Sequence, residues 1–199
     1  MSRVPSFRTS IISFLLLFIA ACGGGGGGGG NVSVRLELPQ GVDPSMFFPD
    51  DRIVVRIYGP DFPEKRFEFE RSLGRGTIEG IPAGEDRVIK VDEYDSAGNL
   101  LARGFAYGLR WDEGEERSVP VTMVPKGWVI TVAGGRGPGD SPDGTYAGDA
   151  LLNGPAEVEY YQGKIFINDL SNRNIKIIDE YFKINKVGNI TDISILSEG

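Results

Sequence analysis

Residues 86–108, DRVIKVDEYDSAGNLLARGFAYG, contain two runs rich in β-branched, aromatic and aliphatic residues. The short segment between the runs, residues 95–99 (DSAGN), combines Asp, Gly and Asn. These residue types are typical of hairpin loops because they tolerate tight and left-handed backbone conformations. The stretch therefore predicts an antiparallel hairpin, and it is the pattern from which an all-β fold follows.

Alternation of apolar and polar residues extends this pattern in both directions along the chain. A period of two is expected for a strand with one buried face, and no segment shows a helix-length period of 3.6 residues. We predict roughly six or seven short strands in residues 31–125, forming an antiparallel β-sandwich. The alternating apolar positions are Val32, Val34, Leu36, Leu38, Ile53, Val55, Ile57, Phe67, Phe69, Val119, Val121 and Met123.

Residues 77–106, TIEGIPAGEDRVIKVDEYDSAGNLLARGFA, carry a resemblance to a known group of modules. A G-I-P-A-G corner, a strand and an Asp-to-Asn hairpin in this order resemble immunoglobulin-like and prealbumin-like modules of bacterial surface proteins. The resemblance implies a β-sandwich that acts as a spacer or an adhesive unit. It does not identify a ligand, because function resides in sites rather than in the fold.

Residues 126–199 follow a Pro-Lys-Gly boundary and resemble the NHL-repeat family of β-propellers. The resemblance implies an all-β segment built as one incomplete propeller blade, and the sequence predicts four strands in it. Glu157 and Arg173 depart from the family pattern. The matching residues are Ile130, Thr131, Val132, Ala133, Gly134, Asp143, Gly144, Ala150, Leu152, Pro155, Asp169, Asn172 and Ile175.

A single blade raises a question of stability. Residues 184–188 repeat the pattern of residues 130–134, but no further copy follows. Repeat units normally need at least three copies to bury a core, and an isolated sheet leaves its edges uncovered. Three explanations stay open: a truncated remnant of a longer lipoprotein, copies that assemble into a ring, or a blade that packs on the sandwich.

The N-terminal segment, residues 1–21, is typical of a secretory signal peptide. Arg3 and Arg8 precede the apolar residues 11–21, which are fewer than the roughly 20 residues needed to span a bilayer. Ile19, Ala20 and Ala21 before Cys22 resemble the lipobox of bacterial lipoproteins. That resemblance implies cleavage before Cys22 and a diacylglyceryl group on its thiol.

Residues 22–30 consist of Cys22 and an unbroken run of glycines, which predicts a lipid anchor followed by a flexible tether. In the Gram-negative members of this family an aspartate after the cysteine favours the inner membrane. Gly23 stands there instead, so we expect the outer membrane. The alternative is a soluble secreted protein that is cleaved near Ala21 and carries Cys22 as a free thiol.

Composition excludes several kinds of chemistry. The net charge of -7 disfavours binding to nucleic acid. The chain has no histidine and one cysteine, which excludes Ser-His-Asp triads, Cys-His nucleophiles and zinc sites built on these residues. We predict no cofactor, no metal and no enzymatic activity.

Acidic residues are the remaining candidates for catalysis or metal binding. The pairs at residues 50–51, 92–93, 112–113 and 115–116 have the residue types that glycoside hydrolysis uses. We predict instead that they are solvated strand ends and turns. Asp140 and Asp143 are calcium-ligand candidates, but a closed site needs six to eight oxygens, so a structural turn is predicted.

These observations favour a lipid-anchored protein of the cell envelope that acts as a binding or structural module. Its expected partners are the membrane, through Cys22, and an envelope protein, a glycan or further copies of the chain. Two alternatives stay open. One is a truncated remnant of a longer propeller lipoprotein, and the other is an enzyme whose carboxylates converge when blades assemble into a ring.

Overall fold

The computed structural model describes residues 29–48, 51–71 and 77–189. These residues form β-strands, short 3-10 turns and loops and include no α-helix, which confirms the predicted all-β class. None of their helical turns is long and apolar enough to cross a membrane. The signal peptide, Cys22 and most of the glycine tether lie outside the described residues. The described residues divide into two compact units, with the division between Trp128 and Val129.

The first unit, called here the sandwich unit, consists of two sheets that enclose one apolar core. One sheet has the order β4-β1-β7 and the other β3-β2-β5-β6-β8. A 3-10 turn, Pro44–Met46, precedes β2. The strands are β1 (Gly30–Glu37), β2 (Arg52–Gly59), β3 (Phe62–Glu70), β4 (Thr77–Ile81), β5 (Gly84–Tyr94), β6 (Leu100–Trp111), β7 (Glu116–Thr122) and β8 (Val124–Pro125).

Most apolar residues of the predicted alternation point into this core. Val32, Ile53, Val55, Ile57 and Val121 are all buried there. One pairing departs from the antiparallel prediction: β1 runs parallel to β7, with unbroken pairing from Asn31 opposite Glu116 to Glu37 opposite Thr122. The first and last long strands of the unit are thereby joined in one sheet.

The hairpin predicted at residues 95–99 is confirmed. Its strands β5 and β6 pair antiparallel, and the Asp95 carboxylate accepts hydrogen bonds from Asn99 N (2.7 Å) and Asn99 Nδ2 (2.9 Å). Gly98 adopts a φ of 84°, in the left-handed region that glycine enters without steric strain.

The G-I-P-A-G corner between β4 and β5 is built around the buried side chain of Arg87. Its guanidinium donates to the carbonyl oxygens of Pro82 (3.1 Å), Ala83 (2.5 Å) and Glu85 (3.0 Å). It also pairs with the carboxylate of Asp61. A single cation therefore satisfies several backbone oxygens of the corner.

The second unit, called here the C-terminal sheet unit, is one five-stranded sheet of order β10-β11-β12-β13-β9, with antiparallel neighbours throughout. The four predicted strands are confirmed, and the two-residue strand β9 adds a fifth. Two 3-10 turns, Ala147–Asp149 and Leu170–Asn172, lie between strands. The strands are β9 (Thr145–Tyr146), β10 (Pro155–Tyr161), β11 (Lys164–Asp169), β12 (Asn174–Ile178) and β13 (Lys183–Asn189).

One face of this sheet is covered by the segment between β9 and β10. Ala147, Ala150 and Leu152 of this segment pack against Ile167 and Ile184 of the strands. A sheet needs apolar cover on at least one face to be stable. The covering segment provides that core within the unit itself.

Candidate functional site

A row of three cations crosses the outer face of the larger sheet of the sandwich unit. Arg56 of β2 lies directly opposite Arg66 of β3 on one side and Lys90 of β5 on the other. Arg56 lies between Val55 and Ile57, whose side chains are buried in the core. Successive side chains of a strand point to opposite faces, so the row points away from the core. We call Arg66, Arg56 and Lys90 the basic row.

Like charges directly opposite each other are destabilising, so the basic row needs compensation. Asp92 provides part of it, because Arg56 and Arg103 both donate to its carboxylate on the same outer face. Burial alone would raise the pKa of Asp92, but the hydrogen bonds from Arg103 and Arg56 outweigh it and hold the pKa below the ordinary value.

The position of Asp92 corrects the sequence analysis. The residue is fully buried, so the prediction of a solvated strand end is wrong for it. Asp92 is a buried structural anion whose partners are Arg56 and Arg103.

The other compensating acids lie on β3. Glu64 approaches Arg56 at 3.6 Å, and Glu68 pairs with Arg66. Both carboxylates are about half exposed, so water screens their contribution. Two members of the basic row thus have carboxylate partners.

Lys90 differs from the rest of the basic row. Among the described residues, no carboxylate lies within 4.0 Å of its ammonium group, which instead lies 5.9 Å from the centre of the Phe105 ring. Burial lowers the pKa of Lys90, and the nearby charge of Arg103 lowers it further, while the charge of Asp92 acts in the opposite direction. An anion placed at this position would relieve the repulsion between the three cations.

A second buried acid, Glu93, follows Asp92 in sequence but faces the opposite side of the sheet. Adjacent strand residues point to opposite faces, so Asp92 and Glu93 do not form a catalytic pair. Arg71 donates to Glu93, while Glu93 Oε2 has no hydrogen-bond partner among the described residues. Burial raises the pKa of Glu93, and the neighbouring Asp51 adds to this effect.

Asp51 and Glu93 are 1% and 0% exposed, so the prediction of solvated acids is wrong for these two residues as well. Asp51 accepts a hydrogen bond from Phe48 N at 2.6 Å, which gives it a role in the local loop. Asp50 lies outside the described residues. Of the remaining acids, Asp112, Glu113 and Glu116 are exposed, as expected for turn and strand-end residues, and Glu115 is half-buried.

The calcium-ligand candidates Asp140 and Asp143 have different partners. Asp140 accepts from the ammonium group of Lys176, whereas Asp143 accepts from Lys186 N at 2.6 Å. The Lys176 hydrogen bond lowers the pKa of Asp140. Among the described residues, no group of three or more acidic or Cys side chains could hold a metal ion.

Lys176 is itself almost fully buried and supplies a cation to this part of the C-terminal sheet unit. Its ammonium lies 3.3 Å from Ser141 O and 3.6 Å from Asp169 Oδ2. Asp169 is fully buried and also accepts from Asn153 N at 2.6 Å and Asn172 Nδ2 at 2.7 Å. The oxygen atoms in this region are thus arranged around an ammonium group.

Comparison with family models, with curated proteins and with solved structures gives no match for the chain.

Sequence reasoning did not identify the basic row. A signal for it was present, because Arg56, Arg66 and Lys90 each stand among alternating apolar residues of a predicted strand. Their alignment across three strands depends on the pairing register, which the alternation alone does not give.

Proposed function

We propose that the protein is a lipid-anchored binding module of the bacterial cell envelope, and that the basic row is its surface for anionic ligands. The observation that carries this proposal is the alignment of Arg66, Arg56 and Lys90 across three neighbouring strands. The chain as a whole carries a charge of -7, so this concentration of cations runs against its composition. Carboxylate, sulfate and phosphate groups are the ligands that such cations bind.

The aromatic side chains beside the row suit a ligand with a carbon skeleton as well as a charge. Phe105 lies opposite Lys90, and Tyr94 lies opposite Arg52 with its ring centre 5.1 Å from that guanidinium. Acidic glycans combine anionic groups with apolar ring faces. They are the ligand class that we propose.

Binding to the basic row is tested by retention of the full chain on immobilised dextran sulfate and on neutral dextran. We expect retention on the sulfated matrix only, and elution as the salt concentration rises. The variant Lys90→Gln with Arg66→Gln should bind at least tenfold more weakly. The matched control, Lys164→Gln with Arg136→Gln, removes the same two charges at exposed positions of the C-terminal sheet unit and should bind like the wild type. Equal retention of the two variants would contradict the proposal.

The lipid anchor is tested separately by labelling cells with radioactive palmitate. The lipobox resemblance supports attachment at Cys22, so the label should disappear in Cys22→Ala. Label that is unchanged in this variant would contradict the anchor but would leave the basic row untouched.

A further inference from the structure

Beyond the proposed binding of anionic ligands, the C-terminal sheet unit has an edge strand with one neighbour among the described strands. β10 stands at one end of the sheet, and β11 is its one partner among the described strands. All seven of its residues are exposed, including Val158, Tyr160 and Tyr161. Exposed edge strands present unpaired backbone groups, and proteins often protect them with charged residues, proline or a covering segment. β10 has Pro155 at its first position and Glu157 and Glu159 further along.

The same unit contains a segment with strand-forming sequence that lies outside every described strand. Residues 129–132 (VITV) are four consecutive β-branched residues, a composition that strongly favours strands. Val129 is 94% exposed, and Ile130 and Val132 are also exposed. Their backbone groups make no hydrogen bonds to other described backbone groups. We call residues 129–132 the unpaired arm.

The internal repeat indicates that the unpaired arm has the character of a strand. Residues 130–134 share their pattern with residues 184–188, and the latter lie within β13, paired to β12. The same pattern is thus paired in residues 184–188 and unpaired in residues 130–134. At its C-terminal end the arm is held by Ala133, which packs on the apolar core of the unit.

Charge distinguishes the unpaired arm from other partners for β10. Two β10 strands paired with each other would bring Glu157 and Glu159 of both copies together, which is unfavourable. The arm is uncharged and is flanked in sequence by Lys126 and Arg136, of which Arg136 also pairs with Asp149 at 2.6 Å. A neutral strand with basic flanks complements an acidic edge.

We infer that the unpaired arm of one copy adds as a strand to β10 of a second copy. The main-chain hydrogen bonds of strand addition would provide affinity, and the alternating side chains of β10 would provide specificity. The inference concerns a different unit from the basic row and does not depend on it.

Cysteine cross-linking of the full chain tests this pairing. One copy carries Ile130→Cys and one affinity tag, and a co-expressed copy carries Val158→Cys and another tag. We expect a disulfide-linked dimer that contains both tags.

The matched control replaces Val158→Cys by Val187→Cys, because Val187 is exposed on the same sheet but lies on β13. Cys22 is present in both arrangements, so it contributes equally to each. Cross-linking no stronger than in this control would overturn the inference.

Proline substitution provides a second measurement. Thr131→Pro should reduce the cross-link at least fivefold, because proline removes a backbone donor that strand pairing needs. Residue 131 lies outside every described strand, so the substitution leaves the sheet of its own copy intact. The control Thr131→Val keeps the donor and should cross-link like the parent pair. Equal cross-linking of the two variants would overturn the inference.

Discussion

The sandwich unit and the C-terminal sheet unit cover their strands to different degrees. In the sandwich unit two sheets share one core, and the parallel pairing of β1 with β7 joins the two ends of the unit. The C-terminal sheet unit has one covered face and leaves β10 exposed. Burial of apolar surface is the main source of stability, so the sandwich unit should be the more stable of the two.

Both units nevertheless contain a buried cation that organises a loop. Arg87 holds the corner between β4 and β5 through backbone carbonyl oxygens, while Lys176 lies among Asp140, Asp169 and a backbone oxygen. The planar guanidinium can serve several acceptors at fixed angles, whereas an ammonium group acts as a compact charge. Arg87 therefore suits a corner with several carbonyl oxygens, and Lys176 suits a compact group of acidic and carbonyl oxygens.

The largest expected effect is the loss of the Trp111 side chain from the sandwich core. Trp111 is 1% exposed, so Trp111→Ala should lower the free energy of unfolding of this unit by about 4 kcal/mol. Hydrogen exchange should show lost protection in β5 and β7 and unchanged protection in β11 and β12. Trp128→Ala, at an exposed tryptophan, is the control and should have little effect. Equal loss of protection in both units would contradict this expectation.

Removal of the buried cation from the C-terminal sheet unit should have the next largest effect. Lys176→Met leaves the buried Asp169 without its cation, and we expect a loss of about 3 kcal/mol. Urea unfolding measures this loss, and hydrogen exchange in β11 and β12 assigns it to the C-terminal sheet unit. Lys164→Met, at an exposed position on β11, should stay within about 0.5 kcal/mol of the wild type. A similar result for both variants would show that Lys176 is not needed for stability.

The two neighbouring acids of β5 should affect the pH dependence of stability in opposite ways. The pKa of Asp92 is lowered in the folded protein. Its contribution to the free energy of unfolding is therefore present above pH 3.8 and is lost as the pH falls below that value. The pKa of Glu93 is raised, so stability is lost as the pH rises from 4.5 through the folded-state pKa. For each group, the free energy of unfolding changes by at most about 1.4 kcal/mol per pH unit.

Urea unfolding of Asp92→Asn and Glu93→Gln across this pH range measures these contributions. Relative to the wild type, Glu93→Gln should gain stability as the pH rises above 4.5. Asp92→Asn should be less stable than the wild type above pH 3.8, and this difference should shrink as the pH falls below that value. Parallel pH profiles for the two variants would contradict the opposite pKa shifts.

Local sequence patterns predicted most of the strands, because alternation and turn residues act over short distances. The hairpin at residues 95–99 and the strands β10 to β13 are examples. The burial of Asp92 was not predictable in this way, since it depends on Arg56 and Arg103 from two neighbouring strands. The strand β4 and the parallel pairing of β1 with β7 likewise depend on contacts between distant parts of the chain.

The smallest expected effect comes from a matched pair of turn glycines, one in each unit. Gly98 and Gly163 have φ values of 84° and 82°, and a Cβ added at either position would meet no atom beyond its chain neighbours within 4 Å. Gly98→Ala and Gly163→Ala should therefore each cost about 1 kcal/mol, because only the left-handed backbone conformation opposes alanine. Hydrogen exchange in the adjoining strands measures each cost in its own unit. Markedly unequal costs would show that the surrounding unit, and not the turn alone, determines the effect.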